Sequence, residues 1–324
     1  MDPLVSIIIP CFNAKRWVAE AIQSSLGQTY QPIEVIVIDD GSTDQSLEVI
    51  RSFGDTIKWE SSANRGGNAA RNRGIALSQG EHIQFLDADD YILPEKIGRQ
   101  VACLESTGAD VVYGDWRHQH HEADGSTWLE DVAVSGTQED ILASLLSGWW
   151  VAPVAVLLRR KAVVQIGGWD ESLKAAQDTD LMIRLAMAKP RFQYQPGCES
   201  IYRRYGNVTV GTSQPARWLE NHLKVLDKAS AELARGNRLT ANYGHALAVS
   251  YFRLARGLFD LDRSAYDRAM ARVFQLEPQF QPPGSILYKT VRRLFGFKGA
   301  ERVACAKRRL RQGALDWNNV SVKP

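Results

Sequence analysis

The chain has 324 residues, 44% hydrophobic and 23% charged, ordinary proportions for a globular protein and enough length for about two domains. Its net charge of +2 singles out no polyionic partner, nucleic acid included. The four cysteines (Cys11, Cys103, Cys198, Cys305) form no C-x-x-C pair, which argues against a zinc site or a disulfide framework, and no run of 18 apolar residues offers a membrane span.

Residues 4–9 are rich in β-branched side chains, as a strand buried on both faces is. Pro10 stops the run at once, so it does not read as a signal peptide. Helical spacing of Trp17, Val18, Ala21, Ile22 and Leu26 predicts a helix over 14–28. Residues 33–38 are a second buried strand, closed by the turn chemistry of 39–44 and followed by a helix over 45–53. A short strand at 56–60, a helix at 66–78 and a strand at 82–86 complete the alternation. Strand–helix–strand order at this spacing predicts right-handed crossovers and a mainly parallel sheet between helices. Ligands of such sheets bind at the carboxyl ends of the strands. Residues 10–13, Asp39 with Asp40, Asn64, and residues 87–90 all fall at that rim.

The densest signal is Phe85-Leu86-Asp87-Ala88-Asp89-Asp90. Three carboxylates within four residues repel each other unless a cation neutralises them. Asp oxygens are the hard ligands that Mg²⁺ and Mn²⁺ prefer, and Mg²⁺ commonly joins one or two carboxylates to substrate phosphates. An acidic turn or helix cap is the plain alternative.

Further on, residues 100–105 read as helix and 109–113 as strand. Residues 116–137 are polar and irregular. Arg117, His118, His120 and His121 raise a zinc site there, but their spacing fits no ligand set and a solvated loop is the expectation. Trp149 and Trp150 precede a strand-like run to residue 158, and 178–188 read as helix. From residue 214 the pattern turns helical, with apolar faces over 217–234, 242–259 and 264–276. After the break at Pro278, Pro282 and Pro283 comes a basic, partly amphipathic stretch over 286–311. Residues 286–324 carry ten Lys/Arg against two acids, a net of +8, which leaves −6 for residues 1–285. The expected domains are therefore an α/β domain over 1–213 and a helical region over 214–324 that ends in a basic tail.

Five segments in fixed order resemble the family 2 glycosyltransferases of the GT-A fold. They are Val5-Ser6-Ile7-Ile8-Ile9-Pro10-Cys11-Phe12-Asn13, Val37-Ile38-Asp39-Asp40-Gly41-Ser42, Asn64-Arg65-Gly66-Gly67-Asn68 through Gly74, Phe85 through Asp90, and Gly167-Gly168-Trp169-Asp170 through Asp178-Thr179-Asp180. The resemblance spans roughly residues 4–210. It implies a Rossmann-like sheet and transfer of a sugar, with inversion, from a nucleoside diphosphate donor, UDP above all, to a saccharide or lipid-linked acceptor.

By the same resemblance Pro10, Phe12, Asp40, Arg71 and Asp87 would hold the nucleotide, Asp89 would touch Mg²⁺ or Mn²⁺, and Asp178 would be the general base. Phe12 offers a face either to a nucleobase or to the core. Asp40 suits either a uracil imide or a turn cap, and Arg71 either the nucleotide or the surface. Asp180 suits a cap or an orienting role. Two positions depart from the family pattern: Gln177 stands where an acid is usual, and Arg203-Arg204-Tyr205 where many members carry a histidine after an arginine pair. Either arginine could then grip the diphosphate. Trp149, Trp150 and Gln177 fall on the implied acceptor side.

A nucleotide-sugar-binding module without turnover is the competing class, though keeping Asp87, Asp89 and Asp178 together speaks against it. A nucleotidyltransferase lacks its Gly-rich basic loop, and a dinucleotide dehydrogenase lacks G-x-G-x-x-G after the first strand. The expected place is the cytoplasm. The basic tail either docks on the inner face of the membrane or packs as a solvated helix.

Overall fold

The computed structural model describes residues 2–206, 214–283 and 285–311. The chain divides into two compact units, one made of Leu146–Gly148 with the chain from residue 208 on, the other of the rest. The domain boundary expected at 213/214 falls beside residues 207–213, and the last part of the basic tail falls in 312–324, both outside the described residues.

In the first unit β1 (Val5–Cys11), α1 (Val18–Leu26), β2 (Ile33–Asp39), α2 (Ser46–Arg51), β3 (Lys58–Ser61), α3 (Gly67–Leu77) and β4 (His82–Phe85) follow one another. β1 lies between β2 and β4, all parallel, with Ile8 opposite Ile36 on one side and Phe85 on the other. Ile7, Ile8, Ile9, Ile36, Val37 and Ile83 are fully buried, which is why these strands read as unbroken apolar runs. α3 lies close on β1: a Cβ added to Gly74 would collide with the Cγ2 atom of Ile8.

The unit continues through β5 (Tyr91–Ile92), α4 (Lys96–Thr107), β6 (Val111–His121), β7 (Thr127–Leu129), α5 (Ile141–Leu146), β8 (Val156–Arg159), α6 (Arg160–Gln165), α7 (Gln177–Met187) and β9 (Phe192–Tyr205). The sheet runs β3-β2-β1-β4-β8-β6-β9-β5, with β7 added on β6. β6 and β9 run parallel to each other, while β8, β5 and β7 pair antiparallel with their neighbours. The result is the mixed, mostly parallel sheet with flanking helices that the sequence predicts.

Two elements differ from expectation. Residues 116–137 are an irregular loop only from 130 on: β6 runs on to His121 and turns back as β7, and Gln119, His120 and His121 pair with Leu129, Trp128 and Thr127. β9, fourteen residues long, has no apolar run to announce it. Its register on β6 shifts around Asp115. That carboxylate is 5% exposed and accepts hydrogen bonds from Ser135 N, Tyr194 OH and Gly197 N at 2.8–2.9 Å, so a buried side chain fills the place of the interrupted ladder.

The second unit holds α8 (Pro215–Arg235), α9 (Ala241–Leu258), α10 (Arg263–Leu276) and α11 (Ile286–Arg311). Thr240 and Asp262 cap α9 and α10 by accepting from the backbone N–H three residues on. Leu247, Tyr251, Phe252, Leu258 and Tyr266 form its core. Glu301 is fully buried and is compensated by Arg256 at 2.9 Å and the Tyr288 hydroxyl at 2.5 Å. α11 breaks at Gly296, whose φ of 68° is not helical.

Candidate active site

The carboxyl ends of β1, β2 and β4 open onto a cleft of about 180 Å³. Pro10, Phe12, Asp40, Arg71, Asp87 and Asp89 all line it, together with Tyr205. Phe12 stands 50% exposed at the rim, so its ring is available to a ligand rather than spent on the core. Cys11 lies beneath. Burial, and then the charge of Asp39, push its thiol up to about 12, so it stays neutral.

Asp39 and Asp40 point inward from the end of β2. Asp39 accepts from the Ser61 hydroxyl at 2.6 Å and closes its turn on Ser42 N. Asp40 is 4% exposed and accepts from the backbone N–H groups of Arg65 and Gly66, each at 2.8 Å. It therefore holds the loop into α3 while facing the cleft. Gly41 permits this: its φ is +75°, and a Cβ there would lie 2.7 Å from Asn64 N.

Arg71 is 9% exposed. Its Nη2 donates to Asp87 Oδ1 at 2.5 Å, and its guanidinium lies 4.6 Å over the Trp169 ring. α3 also anchors the segment that carries Trp169. Asn68 donates to the Asp170 carbonyl at 2.6 Å, and Asn72 exchanges hydrogen bonds with the Trp169 backbone at 2.8 and 2.9 Å. Trp169 meets Phe85 edge-on at 5.1 Å, which ties this segment to the strand that bears the aspartates.

Asp87, Asp89 and Asp90 each bring a carboxylate oxygen within 4.8 Å of the others. Burial, and then Asp87, raise Asp89; burial, and then Asp89 and Asp87, hold Asp90 well above the usual carboxylate range. Such crowding is what a cation relieves. Asp90 is 2% exposed and its oxygen accepts from Arg203 N at 2.8 Å, so it sits behind the other two. Asp87 and Asp89 face the cleft and fit a hard divalent ion.

Tyr205 occupies the position where the resemblance leads one to expect histidine. Its hydroxyl donates to Asp89 Oδ2 at 2.8 Å, and burial and Asp89 raise it so that it remains a donor. Arg203, considered above as a grip for the diphosphate, is committed elsewhere. Its side chain is 1% exposed, pairs with Glu20 at 2.6 Å, donates to the Asp89 carbonyl at 2.8 Å and stacks against Trp17 and Tyr91.

Asp178 lies in the first turn of α7, which Ala176 enters with a φ of 57°. Its Oδ2 accepts from the indole N–H of Trp150. Trp150 packs edge-on against Trp116 at 5.2 Å and Tyr202 at 6.2 Å. Burial, then Asp90, Asp87, Asp89 and Asp178, push the Tyr202 hydroxyl far above its ordinary value. Tyr202 thus stands in the combined field of the cluster and of Asp178. Asp180 is buried and pairs with Arg184 at 2.6 Å along the helix. Gln177 turns to the Leu173 carbonyl at 3.3 Å, and Trp149 packs on Tyr113 at 5.3 Å. The two tryptophans therefore serve different neighbours. Sequence reasoning missed Tyr202, the Trp150–Asp178 bond and the Asn68/Asn72 anchors; the polar asparagines at 68 and 72 in an otherwise buried helix were the available signal.

Residues 6–167 match the profile of glycosyl transferase family 2. Glycosyltransferase GlyG of Streptococcus pneumoniae serotype 4 is 35% identical over 243 residues, 70% of this chain and 80% of GlyG. An uncharacterised glycosyltransferase of Rickettsia typhi is 35% identical over 56% of this chain and 58% of that protein. The chain belongs to glycosyl transferase family 2. It spans only 32–58% of the length of several curated relatives. Among solved structures, S. aureus TarS 1-349 in complex with UDP-GlcNAc superposes with a TM-score of 0.64 at 17% identity, covering 96% of this chain and 93% of that one. Mannosyltransferase PcManGT of Pyrobaculum calidifontis, in complex with GDP-Man and Mn²⁺, does so at 0.52 and 16%, covering 97% and 89%. These likenesses establish the GT-A fold.

Proposed function

We propose that the protein is an inverting glycosyltransferase that moves a sugar from a nucleoside diphosphate, with uridine as the base, to a hydroxyl of a saccharide or lipid-linked acceptor. The observation that carries this is a cleft lined by six residues of the nucleotide and metal set, Asp87 and Asp89 among them, whose carboxylates crowd with that of Asp90 within 4.8 Å. Phe12 stacks on the base. Asp40 keeps a lone pair on each oxygen for the imide N–H, beyond the backbone donors it already satisfies. Arg71, fixed by Asp87 and Trp169, directs its remaining donors at the diphosphate.

Asp178 takes the proton from the acceptor hydroxyl as its oxygen bonds to the anomeric carbon. The bond from that carbon to the diphosphate oxygen breaks on the opposite face, and the diphosphate leaves with the electron pair. The Trp150 N–H holds Asp178 oriented, and burial and the nearby carboxylates keep the Tyr202 hydroxyl protonated. Asp89 and Asp87 would hold Mg²⁺ or Mn²⁺, which as a Lewis acid stabilises negative charge on diphosphate oxygens. TarS holds UDP-GlcNAc and PcManGT holds GDP-Man, so the fold serves either base, and Asp40 is the argument for uridine here.

A donor screen that reads released nucleoside diphosphate tests the reading. Asp178→Asn should retain UDP binding by calorimetry and lose about 10²–10⁴-fold in transfer rate. Asp89→Asn should weaken both, and should abolish the strengthening of UDP binding by Mn²⁺. UDP binding by the intact protein that ignores Mn²⁺, or full transfer by Asp178→Asn, would refute it.

The same reading places the second unit at an anionic lipid surface, near a lipid-linked acceptor. α11 exposes Ile286, Leu287, Leu294 and Phe295 beside Lys289, Arg293 and Arg302. No described helix is long and apolar enough to cross a membrane, so contact would be peripheral.

A further inference from the structure

The β6–β7 hairpin gathers a second set of metal-ligating side chains, distinct in its residues from the aspartate cluster. His118 and His120 are two residues apart on β6, so both side chains leave the same face of the strand. Glu130 follows β7 directly, and its N–H donates to the His118 carbonyl at 2.9 Å, which fixes it opposite the histidines. Its carboxylate forks between them: Oε2 lies 2.8 Å from His118 Nδ1, and Oε1 lies 2.6 Å from His120 Nε2. One ligand atom from each residue lies within 4.8 Å of the other two.

Both rings are held in place. His120 stacks flat on Trp128, at 4.1 Å and 5°, and His118 sits edge-on to Trp116 at 4.6 Å and to Tyr202 at 5.4 Å. The histidine side chains are 12% and 23% exposed and Glu130 is 41% exposed, so the cluster opens to solvent on the carboxylate side. Donors fixed by packing around one open position are what a metal site requires.

We propose that His118, His120 and Glu130 bind a divalent transition metal ion of the zinc class. The donor chemistry selects the metal: two imidazole nitrogens and one carboxylate suit Zn²⁺ or Co²⁺, whereas Mg²⁺ and Ca²⁺ require oxygen ligands throughout. Ligands about 2.0–2.1 Å from Zn²⁺ in tetrahedral array stand roughly 3.3 Å apart. With one Glu130 oxygen as ligand, that oxygen retreats by less than about 1 Å from the nitrogen it now touches, and the three ligand atoms, already within 4.8 Å of one another, draw in to that common spacing. Water from the open side completes the fourth position. The ion is structural: it pins the hairpin, and through the rings of His118, Tyr202 and Trp150 it braces the wall that holds Asp178.

The test uses the full chain bearing Asp89→Asn, in excess Mg²⁺, so that the aspartate cluster does not take the probe. Titration with Co²⁺ should give the intense visible bands of a tetrahedral site at one equivalent, displaced by Zn²⁺. His118→Ala and His120→Ala should each abolish them. Because β6 variants could fold poorly, unfolding is followed as well. Zn²⁺ should raise the unfolding midpoint of the parent by several degrees, and Glu130→Gln, which keeps the size and a hydrogen-bonding group, should lose most of that rise. A chain with no tetrahedral cobalt spectrum, bands that survive either histidine replacement, or a Zn²⁺ effect unchanged in Glu130→Gln would each overturn the site and leave a hydrogen-bonded His–Glu–His clip.

Discussion

At the scale of single residues, the proposed mechanism turns on the position of one carboxylate. Asp178 is oriented by the Trp150 N–H across 28 positions of chain, while the same indole ring packs against Trp116 and Tyr202. Trp150→Phe keeps most of that packing and deletes the donor. A hydrogen bond to a charged group contributes about 1.5–3 kcal/mol, so kcat should fall roughly 10–100-fold. Donor KM should stay within about twofold, because Trp150 does not line the cleft at the carboxyl ends of β1, β2 and β4. Steady-state kinetics separate the two, and a variant that loses donor affinity but keeps kcat would show that Trp150 acts elsewhere. Tyr205 and Arg203 make a related point. The arginine pair invited a diphosphate role, yet Arg203 is sealed between Trp17 and Tyr91 and neutralised by Glu20, and the next residue after the pair reaches Asp89 instead. A charged residue in a motif declares its partner only when burial is known.

At the scale of elements, legibility followed burial. β1, β2 and β4 are covered on both faces, so their apolar runs declared them; of the polar residues expected at the rim, Asn13, Asp40, Asp87 and Asp89 line the cleft, while Asp39, Asn64 and Asp90 do not. β9 was hidden because it is polar, carries Pro196 and Gly197 in mid-strand, and pairs with β6 through a shifted register held by Asp115. Half-covered strands follow no simple period when a bulge inverts their faces. The hairpin at 116–137 was hidden for a related reason, since His118 and His121 face aromatic rings, Tyr202 and Trp17, supplied by distant parts of the chain. α3 offers a direct test of how tightly the legible half is built. Gly74 lies against Ile8, which is 0% exposed in the central strand, so an added side chain has no space to enter. Gly74→Val should destabilise the protein by at least about 2 kcal/mol through overpacking, more than any gain from replacing a helical glycine, which is at most about 1 kcal/mol. Denaturant unfolding measures this, and an unchanged midpoint would mean that α3 does not seat on β1 through this contact.

At the scale of the whole molecule, two features govern behaviour under changed conditions. The first is acid. His82 is 0% exposed in β4, and although its Nε2 lies 3.3 Å from Glu105 Oε1, burial followed by the charge of Arg159 outweighs that carboxylate and holds its pKa below the ordinary value. The unfolded chain then binds the proton more readily than the folded one, so stability rises with pH across the window between the two pKa values. The contribution is complete above about pH 6.5 and is lost as pH falls from there toward the folded value. Thermal unfolding from pH 7.5 to 5.5 should show a falling midpoint, with a shallower fall in His82→Leu. His118 and His121 are shifted the same way by burial, so part of the slope should survive; identical slopes would remove His82 from the account. The second feature is the uneven charge, +8 over residues 286–324 against −6 for the rest. On α11 the break at Gly296 carries Leu294 and Phe295, 68% and 70% exposed, and Arg293 precedes them. Exposed apolar side chains at a helix break, next in sequence to cations, suit a lipid surface: each basic residue near anionic headgroups contributes about 1 kcal/mol, and the rings and methyls add burial. The electrostatic share is screened by salt while the apolar share is not. The protein should therefore float with vesicles containing anionic lipid at low salt, lose most of that recovery at high salt, and ignore neutral vesicles. Replacing Leu294 and Phe295 together by glutamate should abolish flotation while leaving UDP binding unchanged, and equal recovery of variant and parent would reject docking through α11.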